Sequence, residues 1–272
     1  MRLYFRPLRF KMQPMANIAL RAARKAADFI LLSFDRPDQF QIEQKSPKDF
    51  VTNIDKIAEQ IIVEQIETTY PQHNIHAEET GSRTIDITNE YTWIIDPIDG
   101  TMNFIRGIPH FAVSIGIRKG NHLEHGVIID PVNQEEYVAS RGYGATLNGK
   151  KIRVTKTESL DETLIASGIA SSSVNTRLDF YIGKLREFTA ICQSVQSTGS
   201  AALDLAYVAS GKTDGFWHPD LKPWDIAAGI VIVREAGGFV GDFMGGEGFF
   251  ESGDVVAANP KCFKAIVQKL SK

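Results

Sequence analysis

Cysteine is almost absent from this 272-residue chain: Cys192 and Cys262 stand far apart and neither belongs to a C-x-x-C pair. That excludes a disulfide framework and a cysteine-based zinc site, and it fits reducing, cytoplasmic surroundings. Long apolar runs are missing too, since even the stretch from Asp225 to Gly238 is broken by Arg234 and Glu235. Spanning a bilayer takes roughly 18–20 apolar residues, so no membrane association is expected. Neither sign of charge dominates, and a net charge of −3 signals no direct attraction to nucleic acid. None of the six histidines has H-E-x-x-H spacing, the glycine-rich FMGGEG lacks the Lys-Ser/Thr of a P-loop, and no G-x-S-x-G elbow occurs. His73, His76, His110, His122 and His125 are therefore read as structural or surface residues, and FMGGEG as a turn before an edge strand.

What remains, 43% hydrophobic and 23% charged residues, is the composition of a globular chain long enough for one large core or two joined ones. MRLYFRPLRFK has no continuous apolar region, so residues 1–11 are expected to be a disordered extension, or an over-long start with Met12 as the true first residue. Apolar spacing predicts an amphipathic helix from Ala16 to Ser33, then, after the loop KSPKD, a second one closed by Pro71. A strand at 74–77 ends at Glu78 and Glu79, and TWIID is a strand ending at Asp96. Hairpin patterns follow, turning at Gly120, so the middle is an antiparallel sheet. Beyond Thr155 the pattern alternates: helix SAALDLAYVASG, strand DGFWH, helix DIAAGIVIVREAGG, strands FVGD and DVVAA, and a helix from Pro260. The reading is a mixed α+β chain of alternating layers, with 12–150 as one domain carrying most of the acids and 151–272 as another contributing Asp225.

Acids recur where elements begin or end: Asp55, Glu78, Glu79, Asp96, Asp99 and Asp225. Asp96 and Asp99 are three residues apart around Pro97, and like charges so placed are costly without a cation between them. Oxygen-only ligands favour a hard ion, with Mg²⁺ ahead of Ca²⁺ or Zn²⁺. Pro97 is expected to stop the strand and to turn the Ile98 carbonyl toward the ion. Gly100 and Thr101 then offer free N–H groups to a phosphate. Two metals sharing Asp96, about 4 Å apart, would activate a water and stabilise the departing alkoxide. Each acid also has a bland reading: Thr52 with Asp55 is a capping pair, Asp225 sits where an N-cap belongs, and Asp-Pro opens turns.

WIIDPIDGTMNF, together with DFVTNID, HAEET, TGSAALDLAYVASG and KPWDIAAGIVIVREAGG in that order, resembles the inositol monophosphatase family from about Met12 to the C-terminus. The resemblance implies a layered α-β-α-β-α sandwich of the sugar phosphatase type, dimeric, Mg²⁺-dependent and lithium-sensitive. It implies a first metal on Glu78, Asp96 and the Ile98 carbonyl, a second on Asp96, Asp99 and Asp225, and a weaker third touching Glu78. Thr101, bonded to Asp55, would orient the attacking water; the Gly100 and Thr101 amides would hold phosphate; Ala201 would face the substrate, a small phosphorylated polyol such as inositol 1-phosphate. The chain departs from the family at His218, where a glutamate that bonds inositol hydroxyls is common, and at Gln196, where an arginine is common. Another sugar phosphate such as fructose 1,6-bisphosphate, or NADP, is the alternative substrate. Met102-Asn103 stands against the nucleotide-bisphosphate branch, which carries Lys-Glu there. A regulatory role with protein partners of the transcription machinery or in ribosome biogenesis, implied by bacterial relatives, is the alternative of another class.

Overall fold

Pro14 opens the first helix, α1 (Pro14–Phe34), where a missing N–H leaves nothing unsatisfied, and a run of buried alanines from Ala16 to Ala27 gives it a smooth inner face. This computed structural model describes residues 12–37, 40–46, 49–169 and 174–272, so the expected extension at 1–11 lies outside the described residues. Where a loop was expected, β1 (Ile42–Ser46) and β2 (Asp49–Thr52) pair antiparallel. The helix α2 (Asn53–Thr69) begins with a reciprocal cap: Thr52 Oγ1 accepts from Ile54 N, and Asp55 Oδ2 accepts from Thr52 N at 2.9 Å.

The large sheet contains β3 (Asn74–Ala77), β4 (Gly81–Arg83), β5 (Tyr91–Asp99), β6 (Ala112–Lys119), β7 (His122–Asp130), β8 (Glu135–Ser140), β9 (Gly144–Leu147) and β10 (Lys150–Lys151). Its order is β10-β9-β8-β7-β6-β5-β3-β4, antiparallel throughout except between β3 and β5. A short helix, α3 (Thr101–Ile105), follows β5 directly. Pro97 does not stop β5. The strand runs through it to Asp99 on a bulge, Asp96 pairing with Ser114 and Asp99 with Ala112. A bulge spares proline the ladder bond it cannot make, and the residue it adds shifts the side-chain alternation between Asp96 and Asp99.

The rest of the chain gives β11 (Leu164–Ser167), α4 (Val174–Ile191), β12 (Ser194–Gln196), α5 (Ala201–Ser210), β13 (Gly215–His218), α6 (Pro223–Glu235), β14 (Phe239–Gly241), α7 (Phe249–Ser252), β15 (Val255–Ala258) and α8 (Pro260–Leu270). The second sheet is ordered β12-β11-β13-β15-β14. FMGGEG follows the edge strand β14 and leads into α7, and the next strand, β15, is interior, contrary to the sequence reading. Helices α1 and α2 cover one face of the large sheet, α5 and α6 lie between the two sheets, and α4 and α8 contact the second sheet, giving α-β-α-β-α layering.

Helix α6 approaches the large sheet along a lane of small residues. Gly116 of β6 faces Gly126 of β7, which faces Ala139 of β8, and the helix meets that row with Ala227 and Ala228. One apolar core joins Ile128, Tyr137 and Ala145 to Leu205, Phe216, Ile230 and Val255, on both sides of residue 150.

Candidate metal and phosphate site

Asp96 and Asp99 come from the two ends of the β5 bulge, and Asp225 from the first turn of α6. Their carboxylate oxygens lie within 4.8 Å of one another. Asp225 is the third residue of α6, not its N-cap; that position belongs to Lys222, whose N–H donates to Asp225 Oδ2 at 2.8 Å. Glu78 follows β3, with its N–H donating to Ile95 O at 3.1 Å, so the parallel pairing of β3 with β5 carries it toward Asp96. The turn bearing Glu78 and Glu79 is fixed from below by buried Glu59 of α2, whose two oxygens accept from Glu79 N at 2.8 Å and Thr80 N at 2.9 Å.

These acids are crowded and short of counter-charge. Burial raises Asp96 well above the usual carboxylate range, and the neighbouring Glu78, Asp99 and Asp225 push it further. Burial does the same to Asp225, helped by Asp99, and lifts Asp99 to about 6 against the pull of its hydrogen bonds from Ser200 and Ala202. Glu78 is raised by burial despite Lys45, and Glu79 to about 7. Asp96 Oδ1 is enclosed and has no hydrogen-bond partner. A buried acceptor left without a donor, on one member of a group of three carboxylates, fits a hard divalent cation bound by oxygen. Lys45 of β1 reaches the rim, its Nζ 2.6 Å from Glu79 and 3.2 Å from Glu78.

Next to the acids, Thr101 Oγ1 lies 3.1 Å from Asp55 Oδ1 and 3.0 Å from the Ile98 carbonyl. A hydroxyl has one proton, so only one of these acceptors receives it at a time. Thr52 donates to the other Asp55 oxygen through both its N–H and its hydroxyl, and burial raises the Asp55 carboxyl in spite of these donors. The capping role of Asp55 and its contact with Thr101 therefore coexist, one on each oxygen. Gly100 caps α3 at φ +99, and a Cβ there would sit 3.1 Å from His110 O and 3.3 Å from Gly199 O. Both the backbone angle and the space demand glycine.

Beside the cluster opens a cavity of about 380 Å³ reached by Asp99, Ala201, Asp204, His218 and Asp225. Asp55, Glu78, Asp96, Gly100 and Thr101 do not line it. Ala201 begins α5, where Ser200 Oγ and Ala202 N both donate to Asp99 Oδ2, the latter at 2.8 Å. His218 closes β13 with Nδ1 2.8 Å from the Pro219 carbonyl, which only accepts, so the proton sits on Nδ1. Its Nε2 lies beside Gly168, where a Cβ would come within 2.9 Å. Burial holds the imidazole down at about 4, so Nε2 is a neutral acceptor. Gln196, at the exposed end of β12, is not in the lining.

Sequence reasoning missed Lys45, Glu59, Ser200 and Asp204. Glu59 had a signal, one helical turn beyond Asp55 on the same face. Asp204, buried and pushed up to about 8, accepts from Thr198 Oγ1 at 2.8 Å. Lys45 carried none, because its reach depends on a hairpin that was read as a loop.

Comparison with known proteins agrees with this geometry. The model of the inositol monophosphatase family matches residues 11–272. The Nus factor SuhB of Pseudomonas aeruginosa is 48% identical over 260 residues, covering 94% of this chain and 95% of the relative. The solved extragenic suppressor protein suhB from Bartonella henselae superposes with a TM-score of 0.92 at 37% identity, covering 96% of this chain and 99% of that one. The inositol monophosphatase from Anabaena superposes at 0.85 with 34% identity, covering 95% and 96%. With matches that run nearly end to end and an acidic site assembled from the motifs that carried the resemblance, the chain belongs to the inositol monophosphatase family.

Proposed function

We propose that the protein is a Mg²⁺-dependent phosphomonoesterase for small phosphorylated polyols that also serves as a protein partner of the transcription machinery. The observation behind the first role is the unpartnered Asp96 Oδ1 within the Asp96, Asp99 and Asp225 cluster. Glu78, Asp96 and the Ile98 carbonyl would hold one Mg²⁺, and Asp96, Asp99 and Asp225 a second. When bound, Mg²⁺ supplies charge neutralisation at phosphorus and lowers the pKa of water.

The chain's own residues do the rest. With its proton given to Asp55 or to the Ile98 carbonyl, Thr101 Oγ1 keeps a lone pair toward the site that can accept from the attacking water and aim it. The free N–H groups opening α3, at Gly100 and Thr101, bind phosphate oxygens. Ala201 forms an apolar wall for the polyol, and His218 Nε2 accepts from one of its hydroxyls, as a glutamate would but without charge. Residues 12–150 form the lobe with most of the acids, and 151–272 the lobe that supplies Asp225 and the substrate pocket. Inhibition by Li⁺, a homodimeric state and a cytoplasmic location belong to the same reading; among the described residues no helix is long and apolar enough to cross a membrane.

The second role rests on a different observation, the near-complete match to a relative named Nus factor SuhB. One comparison separates the two. A strain lacking its own copy is supplied with the wild type or with Asp99→Asn, and growth and phosphate release from inositol 1-phosphate are measured. Asp99→Asn keeps acceptors for Ser200 and Ala202 while removing the charge. Loss of phosphate release with full rescue of growth supports both roles; unchanged release defeats the hydrolytic reading, and absent rescue by the folded variant shows that growth requires hydrolysis and removes the support for a catalysis-independent partner role.

A further inference from the structure

Away from the acidic cluster, at the far end of α6, a second cavity of about 410 Å³ is lined by Arg118 of β6, Arg141 after β8 and Arg234 in the last turn of α6, with Glu247 and Glu251 also reaching it. It shares no lining residue with the cavity beside Asp225. A helix rises about 1.5 Å per residue, so Arg234 lies about 14 Å along α6 from Asp225.

The three guanidinium groups differ in what holds them. Arg141 pairs with Glu124 at 3.1 Å. Arg234 donates to both oxygens of Glu247, at 2.8 and 2.7 Å, and lies over the Phe249 ring at 5.5 Å. Arg118 has no ion pair among the described residues, and its Nε is enclosed without a hydrogen-bond partner. The same side chain lines the cavity, so an anion there supplies the counter-charge that no described ion pair gives this permanent cation. Glu247 is three-quarters exposed and sits among Gly245, Gly246 and Gly248, so its carboxylate can leave Arg234 without disturbing packed structure.

We propose that this cavity binds a small phosphorylated anion, with Arg118, Arg141 and Arg234 as its ligands and the Glu247 carboxylate as the group it displaces. Arginine forks match phosphate oxygens in pairs, and the volume falls in the range of small-molecule sites. An extended polyanion is the poorer match, because the cavity is concave and the flanking Glu124, Glu247 and Glu251 would repel its length.

Isothermal titration calorimetry in EDTA, which removes divalent metal from the acidic cluster, tests this with inorganic phosphate, pyrophosphate, ATP and citrate as probes. The expectation is saturable binding of at least one phosphorylated probe, weakened at least tenfold by Arg118→Gln and by Arg234→Gln, unchanged by Asp225→Asn, and tightened by Glu247→Gln. Circular dichroism melts establish that each variant is folded. Absence of saturable binding by every phosphorylated probe, or equal binding by the folded Arg118→Gln and Glu247→Gln proteins, overturns the proposal. So does binding lost in Asp225→Asn but kept in both arginine variants, which would assign the anion to the phosphate seat instead. Stronger binding of citrate than of any phosphorylated probe overturns the ligand class.

Discussion

Replacing Gly126 with alanine puts one methyl group where α6 lies closest to the large sheet. The new Cβ would stand 2.3 Å from the carbonyl oxygen of Ala228 and 3.0 Å from its carbonyl carbon. Those are backbone atoms in the middle of a buried helix, so no side chain can rotate away. Restoring ordinary contact takes about 1 Å of helix displacement, and overpacking of this kind costs typically 1–3 kcal/mol, occasionally more. The upper end applies here because α6 is also held from its other side, where Leu205 of α5 fills the space a Gly229 side chain would need. A cost of about 3 kcal/mol corresponds to roughly 6–12 °C in melting temperature for a chain of this size. The displacement also moves Asp225, which rides on the same helix, away from Asp96 and Asp99. Gly126→Ala should therefore lower the urea midpoint and weaken Mg²⁺ activation together. Gly183→Ala, in α4 with open space around it, is the matched control and should stabilise by about 0.5–1 kcal/mol. A Gly126→Ala midpoint equal to that of the wild type would refute a close approach of α6 to the sheet at this position.

Two further outcomes follow from single side chains. Thr101→Val removes the hydroxyl and keeps the shape; kcat should fall by about 10²–10⁴ with KM little changed, while the melting curve moves only slightly because Asp55 keeps both donors from Thr52. An equal fall in kcat and rise in KM would contradict a role in aiming water. His218 is held at about 4 when folded and returns to about 6.5 when unfolded. Between those values the unfolded chain binds a proton that the folded one refuses, so this contribution to stability is complete above about pH 6.5 and is lost as pH falls toward 4. The loss is about 2 kcal/mol at about pH 5. Urea midpoints at neutral and acid pH should converge for His218→Gln relative to wild type, and parallel pH dependence in the two proteins would refute this.

How much could be read beforehand depended on where each signal lay. The clustering of Asp96, Asp99 and Asp225 was legible because each stands at the boundary of an element with a strong pattern of its own. The β1–β2 hairpin was not, since IEQKS and DFVT carry no clean alternation and their pairing is decided by neighbours. The helix α4 went unseen because its apolar residues do not form a sharp stripe. Pro97 misled for a physical reason: a proline stops a regular strand, but a bulge removes the ladder bond that it cannot make. That bulge was invisible in the sequence, yet it sets the relation between Asp96 and Asp99.

The capping bonds of the acids and the contacts that bring them together use the same carboxylates. Asp55 closes the cap of α2 with one oxygen and meets Thr101 with the other. Asp225 closes the N-terminal turn of α6 with Oδ2, and Asp99 is clasped by the start of α5 through Ser200 and Ala202. A carboxylate used only as a ligand would be free to swing away from its neighbours, and mutual repulsion would drive it to do so. Each of these is instead tethered by hydrogen bonds from a helix terminus, where the dipole also favours negative charge. Capping therefore fixes Asp99 and Asp225 close to one another and to Asp96 in spite of their like charge, and helix ends let such an acidic cluster be assembled from segments far apart in the chain.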